Sequence, residues 1–532
     1  MAELEPREAA GPSGRRTNLT AQTASGLGWT YLSTASLVVA NLAYTATISR
    51  LLAPVAFGLL AMANVVVLFA QYFARMGLAS ALIQKPDLSD DDVRASSTAG
   101  IAIGMVCMAV IWVSAPALGV LFGTSALPPI LRGLSVSFVF MGWSQTSNGL
   151  LRRQLRFRAL SLVAVVTYVF GYLVVGVGLA LLGAGLWSLV AASVSSTALQ
   201  SILQYALLRH PVRPVLCWEP YRAVCGYGFR PSGAYLMDYV GANLDTVTVI
   251  RVASAEVVGQ YSRAYYLVFQ PLGNYLALAL STVLFSPLSR IQQDLTRLRR
   301  AFLSVLSITT VVLFPICAGM AIAAQELAMV VLGPQWTLVP GLIPWFAVAG
   351  GCHVASQMSQ LLAEARAELN RSLAVQVFYV VALALLLLAA VPFMGHGVWV
   401  IGAAVAGAEV LRYLGYLRLT RRVLKLRFGQ VWRAHLPAAF ASVGVGLAVA
   451  AVRAPLTGHA PAILVLAADM CVGVLALALC IRLCPLPAIR HELRLRLDAA
   501  GLLGAEGGLR RRLARLVLGP EAPAAAEGGG HP

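Results

Sequence analysis

Fourteen uninterrupted apolar runs, each near the ~20 residues an α-helix needs to cross a bilayer, constrain this chain more than any other feature. They begin near residues 24, 55, 95, 128, 158, 185, 223, 257, 302, 338, 371, 397, 435 and 462. Each run is continuously apolar, not alternating. Lipid offers no partners to backbone N–H and C=O groups, so helices are expected and a barrel is not. A mean hydropathy of +0.77, with 59% apolar and 12% charged residues, excludes a soluble domain of this length. The first run follows a polar segment carrying Glu3, Glu5 and Glu8 and is too long for a cleaved signal peptide, so it should stay as a membrane helix. The expected fold class is an all-α polytopic membrane protein.

Orientation follows from counting Lys and Arg in alternate connections. One face takes 32 of the 40 basic residues, and the other only Arg50, Arg251 and Arg453. Both termini are therefore expected in the cytoplasm, with an even number of helices. The net charge of +18 needs no further explanation, and no nucleic-acid partner is expected. Arg490 to Leu503 and Leu509 to Leu518 read as basic amphipathic helices on anionic lipid, and the final PEAPAAAEGGGHP reads as disordered. The eight cysteines form no CxxC pair, so neither a disulfide nor a metal is expected, and no other cofactor is implied.

The chain echoes itself. Arg50 and Gly58 recur as Arg251 and Gly259, TISR at Thr47 as TVIR at Thr248, SQTSN at Ser144 as SQMSQ at Ser356, and GLGW at Gly26 as GYGF at Gly226. Correspondences in one order argue for two related six-helix units that enter the membrane the same way, hence a pseudo-twofold axis along the membrane normal. The expected division is a cytoplasmic tail (1–22), a six-helix lobe (23–209), a cytoplasmic linker (210–222), a second six-helix lobe (223–428), two extra helices (429–484) and a basic, then disordered tail (485–532).

Two parallel-repeat bundles imply a central cavity with alternating access. Intramembrane charges are costly and usually face an interior, which points to Arg230, Asp238 and Asp245 on the seventh helix; the two aspartates are seven apart and share a face. The fourth and tenth helices contribute Gln145, Asn148, Gln357 and Gln360. Arg263, one turn into the eighth helix, is a further candidate. Arg132 could line the cavity or snorkel to the outer interface. Glu409 and Arg412, at i and i+3, read as a local ion pair, His353 as a packed core histidine, and Asp469 as a group outside the repeat paired with a neighbour.

RLLAPVAFGLLAMANVVVLFAQYFARMGLASALIQKPDLSDDD from Arg50 resembles the opening of Wzx-type polysaccharide flippases. These belong to the multidrug/oligosaccharidyl-lipid/polysaccharide exporter superfamily, and the likeness is to the lipopolysaccharide and colanic-acid branch. GQYSRAYYLVFQPLGNY at Gly259, VLFSPLSRIQQD at Val283 and VLGPQW at Val331 extend the resemblance over about residues 20 to 430. The chain departs at Arg75, where the family commonly has a small or acidic residue.

The resemblance implies fourteen helices in two lobes, in a bacterial inner membrane. It also implies translocation of polyprenyl-diphosphate-linked oligosaccharide from the cytoplasmic to the outer leaflet, for cell-surface polysaccharide biosynthesis. Such an anion calls for arginine, whose planar fork matches phosphate oxygens, and Arg230, Arg263 and Arg132 are the candidates. Asn41, Tyr44, Gln145, Asn148, Gln357 and Gln360 would meet sugar hydroxyls, while the polyprenyl tail stays among membrane lipid. Asp238 and Asp245 either couple transport to a counter-ion, proton or sodium, or hold Arg230 in place. A polysaccharide polymerase would be a partner downstream. The alternatives are a drug or cation exporter of the same superfamily and a flippase for a lipid-linked peptidoglycan precursor. A membrane polymerase or ligase fits poorly, since no outer connection is long enough for a catalytic loop. The expected class is therefore a transporter and not an enzyme.

Overall fold

The computed structural model describes residues 12–75, 79, 82–83, 85, 88–211, 232–276 and 294–483. Most of the expected linker, Arg230 and the basic tail lie outside the described residues. Within them every regular element is helical. The order is α1 (Pro12–Leu51), α2 (Pro54–Arg75), α3 (Asp90–Leu121), α4 (Leu127–Ser135), α5 (Ser137–Arg153), α6 (Phe157–Tyr168), α7 (Val177–Leu181) and α8 (Leu186–Leu208). It continues with α9 (Ser232–Val252), α10 (Ala255–Phe269), α11 (Leu295–Ile322), α12 (Ala324–Val331), α13 (Val339–Ala365), α14 (Leu369–Ala390), α15 (Trp399–Val423), α16 (Phe428–Leu456) and α17 (Ala462–Leu483). A π-helical stretch, Val169–Gly176, joins α6 to α7, and another, Gln270–Leu276, extends α10.

Eleven spans among the described residues are long and apolar enough to cross a membrane. The described parts of the other three expected runs are helical too. One is divided between α4 and α5 at Val136, and α9 and α10 each adjoin residues outside the description. Large apolar side chains stay exposed along helix faces, among them Val106, Val110 and Val113 on α3 and Val474, Leu475 and Leu479 on α17. A face of that kind is stable in lipid and not in water.

The chain divides into two compact units, one of Met1–Tyr239 with Ala253–Gly259 and one of Val240–Val252 with Gln260–Pro532. In the first, α3 packs along α5, α5 along α8 and α1 along α6. Small residues let backbones approach: a Cβ on Gly142 would lie 2.0 Å from the Gly100 carbonyl oxygen. The closest approach joins two positions that the internal repeat makes equivalent. A Cβ on Gly58 would lie 1.7 Å from the Ala255 carbonyl oxygen, and one on Gly259 would lie 1.9 Å from that of Pro54. The opening turns of α2 and α10 therefore touch backbone to backbone. Tyr239 fastens α2 further along by donating its hydroxyl to the Val65 carbonyl at 2.5 Å.

The connection before α3 is tied down by charge. Ser89 Oγ accepts from the Asp92 amide at 3.2 Å, Asp92 Oδ2 accepts from the Ser89 amide at 3.0 Å, and Lys85 Nζ pairs with the same oxygen at 2.6 Å. Asp90, Asp91 and Asp92 place negative charge on the helix N-terminus, where the backbone dipole favours it. Arg153 donates to the carbonyls of Leu82 and Lys85 and so joins this connection to α5.

Beyond α8, His210 is held by Ser147 Oγ at 2.9 Å and by the Tyr205 ring edge. Burial pushes its pKa below the ordinary histidine value, against a smaller raising effect of the Pro211 carbonyl. Unfolding then takes up a proton between the ordinary value, about 6.5, and the lowered one. The stabilisation is present above that ordinary value and lost as pH falls through the folded one. Thermal midpoints of the detergent-solubilised protein should fall on acidification below that ordinary value, and His210→Gln should flatten this slope.

In the second unit α11 packs along α16, α13 along α15, α14 along α15 and α16 along α17. Its core includes Phe302, Val305, Leu306, Met358, Tyr413 and Val431. Pro340 in the first turn of α13 lacks only an N–H that the helix would leave unpaired.

Candidate functional site

A polar cluster of the second unit lies where α13 meets α15. His353 and Gln357, at i and i+4 on α13, face Glu409 and Arg412, at i and i+3 on α15. Arg412 Nη2 pairs with Glu409 Oε2 at 2.7 Å, and His353 Nδ1 lies 3.3 Å from Glu409 Oε1. Gln357 Nε2 sits 3.1 Å from His353 Nε2. Arg412 Nη2 also meets Nδ1, a contact in which the guanidinium donates. The guanidinium stacks over the Tyr379 ring at 4.5 Å, and Tyr379 donates to the Gly241 carbonyl at 3.3 Å. Glu409 and Arg412 are both buried, so each charge is neutralised within the protein.

An aromatic wall adjoins this cluster. The Phe269 ring meets the His353 ring edge at 5.8 Å, Tyr265 stacks on Phe269 at 4.1 Å, and Phe346 packs edge-on against Tyr261, Tyr265 and Phe269. Across the wall Tyr261 donates to Asp245 Oδ2 at 2.6 Å. Asp245 is buried, and Thr246 Oγ1 lies 3.4 Å from its other oxygen. Arg230 lies outside the described residues, and Asp238 sits on α9 with its side chain outside the description.

In the first unit the structure brings Asn41 and Tyr44 together, on α1. Asn41 Nδ2 donates to the Tyr168 hydroxyl at 2.9 Å, and the Tyr44 ring packs edge-on against Tyr172 at 5.1 Å. Tyr168 and Tyr172 stack at 4.7 Å where α6 turns π-helical. A π-helical turn inside a long helix often marks a functional position. Gln145 is half-buried on α5, and Asn148 Oδ1 accepts from Arg152 Nε at 2.8 Å.

The other candidates stand apart. Arg132 on α4 lies over the Trp112 ring of α3 at 5.6 Å. Half-buried Arg263 on α10 lies over the Tyr266 ring at 5.4 Å. Gln360 Nε2 donates to Glu364 Oε1 at 3.1 Å, one turn along α13. Of the expected site residues, Asn41 and Tyr44 cluster together, while Gln357 joins three residues not chosen as site residues. The missed signals were the charged pair inside an apolar run, the His-x-x-x-Gln spacing beside it, and two tyrosines at i and i+4.

Comparison with known proteins gives this geometry a context. The family model described as "Polysaccharide biosynthesis protein" matches residues 47–339, which hold Arg132, Gln145, Asn148, Arg230, Asp238, Asp245 and Arg263. The lipopolysaccharide biosynthesis protein WzxC of Escherichia coli is 23% identical over 66% of this chain and 72% of its own length. The teichuronic acid biosynthesis protein TuaB of Bacillus subtilis is 24% identical over 66% of this chain and 73% of its own. The succinoglycan biosynthesis transport protein ExoT of Rhizobium meliloti is 27% identical over 61% and 65%. Among solved structures, the lipid II flippase MurJ in an inward closed conformation superposes with a TM-score of 0.67 over 85% of this chain and 98% of its own, at 11% identity. An inward-facing multidrug transporter of the MATE family reaches 0.57 over 73% and 94%, at 16% identity. At these identities the two structures speak for the fold alone.

Proposed function

Because the chain belongs to the polysaccharide biosynthesis protein family, we propose that it is a flippase. It carries a polyprenyl-diphosphate-linked oligosaccharide from the cytoplasmic to the outer leaflet of a bacterial inner membrane. The single observation that carries this reading is the family match through residues 47–339 of an all-helical membrane chain. WzxC, TuaB and ExoT, named respectively for lipopolysaccharide biosynthesis, teichuronic acid biosynthesis and succinoglycan biosynthesis transport, support the substrate class. Both termini face the cytoplasm, on the strength of 32 basic residues against three in alternate connections.

In this reading Arg230 and Arg263 meet the diphosphate, and Arg132 contributes from its place beside Trp112. The hydroxyl and amide groups of Asn41, Tyr44, Gln145, Asn148, Gln357 and Gln360 meet the sugars, joined by Tyr168 and Tyr172 through their bond and stacking with Asn41 and Tyr44. Asp238 is the candidate acid for a proton or sodium ion. Asp245 has a supporting role, since its carboxylate is engaged by Tyr261 inside the second unit. A polysaccharide polymerase consumes the flipped product and sets the direction.

The test is translocation of a fluorescent polyprenyl-diphosphate oligosaccharide in proteoliposomes at matched insertion. Losing a charge-assisted hydrogen bond costs about 1.5–3 kcal/mol, so Arg230→Ala or Arg263→Ala should slow transport about ten- to a hundredfold. Efflux of cationic dyes by a wild-type protein that leaves the lipid in place would refute the reading in favour of a drug exporter.

A further inference from the structure

Where α15 ends and α16 begins, a cleft of about 630 Å³ opens that the transport reading does not use. Leu414, Leu417, Arg418, Arg421, Arg422, Leu426, Phe428 and Val431 line it, three arginines over an apolar floor. Among the described residues none of the three forms an ion pair. Arg421 lies over the Phe428 ring at 5.3 Å, and its Nε is buried without a hydrogen-bond partner. Arg418 and Arg422 are exposed, as are Phe428 at 65% and Leu414 at 54%. The first N–H groups of α16, a helix of 29 residues, open beside the cleft and add positive potential.

These features divide by depth as an anionic lipid does. Leu414 lies one turn back along α15 from Arg418 and two from Arg421 and Arg422, toward the membrane centre, and Leu417 one turn back from Arg421, while Arg421 and Arg422 occupy the last turn of the helix. Positive charge at a helix terminus with apolar side chains beneath it matches a phosphate with acyl chains beneath it. Unpaired arginine also offers the donors that a phosphate oxygen needs. The chain's own basic segment from Arg490 to Leu518 would bring like charge to the cleft, so it is a poor occupant.

We propose that Arg418, Arg421 and Arg422, at the junction of α15 and α16, bind the phosphate headgroup of an anionic phospholipid of the cytoplasmic leaflet. Leu414, Leu417 and Phe428 take its acyl chains. The site is separate from the transported oligosaccharide lipid, so the failure of either assignment leaves the other standing.

Trp432, exposed on the second turn of α16 and next in sequence to Val431, is a built-in reporter. In phosphatidylcholine nanodiscs, brominated phosphatidylglycerol should quench its fluorescence at a much lower mole fraction than brominated phosphatidylcholine. Trp432→Phe identifies the part of the signal that belongs to the site. Each arginine should contribute about fivefold to this preference, so Arg418→Gln/Arg421→Gln/Arg422→Gln should reduce it about a hundredfold. Lys425→Gln, in the same connection but outside the cleft lining, should reduce it clearly less than the loss of any one of the three arginines. If Arg421→Gln prevents folding, Arg418→Gln/Arg422→Gln alters only exposed side chains and should still remove about twentyfold. Retention of the preference in a folded variant would overturn the proposal. So would its removal by inorganic phosphate at concentrations too low to screen charge in general, which would make the site one for free phosphate.

Discussion

Arg412→Leu should destabilise the protein by about 3–5 kcal/mol, because it leaves Glu409 as a buried carboxylate without its cation. The loss is large since Glu409 has few other places to send its charge. His353 Nδ1 lies 3.3 Å from Oε1, and Oε2 is met by Arg412 at 2.7 Å. Removing the guanidinium also strips the stacking partner from Tyr379. The paired variant Glu409→Gln/Arg412→Leu should recover most of the loss, because a neutral amide costs far less to bury than an unpaired carboxylate. Thermal unfolding of the purified protein in detergent, with single and paired variants in one cycle, separates the cost of an orphaned charge from the worth of the pair. Equal losses in Arg412→Leu and the paired variant would show that packing around α15, not charge, is what matters at this position.

Gly58→Ala should also be damaging, through geometry alone. The added methyl would sit 1.7 Å from a backbone carbonyl oxygen, and backbone cannot rotate away as a side chain can. The opening turns of α2 and α10 would have to separate, and a core forced apart in this way loses roughly 1–3 kcal/mol or more. Gly259→Ala meets the same obstacle from the other side, at 1.9 Å. Gly178→Ala is the control: nothing lies within 4 Å of its Cβ position, and replacing a mid-helix glycine should gain about 0.5–1 kcal/mol. Folded yield and thermal midpoint read all three. A Gly58→Ala protein as stable as wild type would mean that α2 and α10 do not cross this closely.

The two predictions differ in how far they could be read from the chain. Glu409 and Arg412 stand three apart inside an apolar run, and helical spacing alone makes them neighbours. That His353 joins them could not be read, because it lies 56 residues from Glu409 and nothing local records which helices face each other. Gly58 and Gly259 were legible as a repeat, each eight residues after an arginine, yet the repeat did not say that the two positions touch. Asp245 reads on a helical wheel as sharing a face with Asp238, and the structure has its carboxylate met by Tyr261 on the next helix. Arg132 lay open between a cavity and an interface role, and the structure sets it over Trp112 on α3. Helix periodicity fixes the face of a single element, whereas a contact needs the rotation and depth of two.

Length, apolarity and charge bias by themselves determined that this is a many-helix membrane chain, and its quoted segments pointed to its family. Those properties are local sums: a bilayer requires about 20 apolar residues per span whatever the neighbours, and loop arginines act one by one. Tertiary structure alone decided which polar groups meet. A buried charge or hydroxyl takes its partner from whichever helix packing brings within about 3 Å, and that choice belongs to the whole bundle. The same holds for the three arginines toward the end of α15, which in the sequence are three among the many of a basic face, and in the fold line one cleft without an ion pair among the described residues.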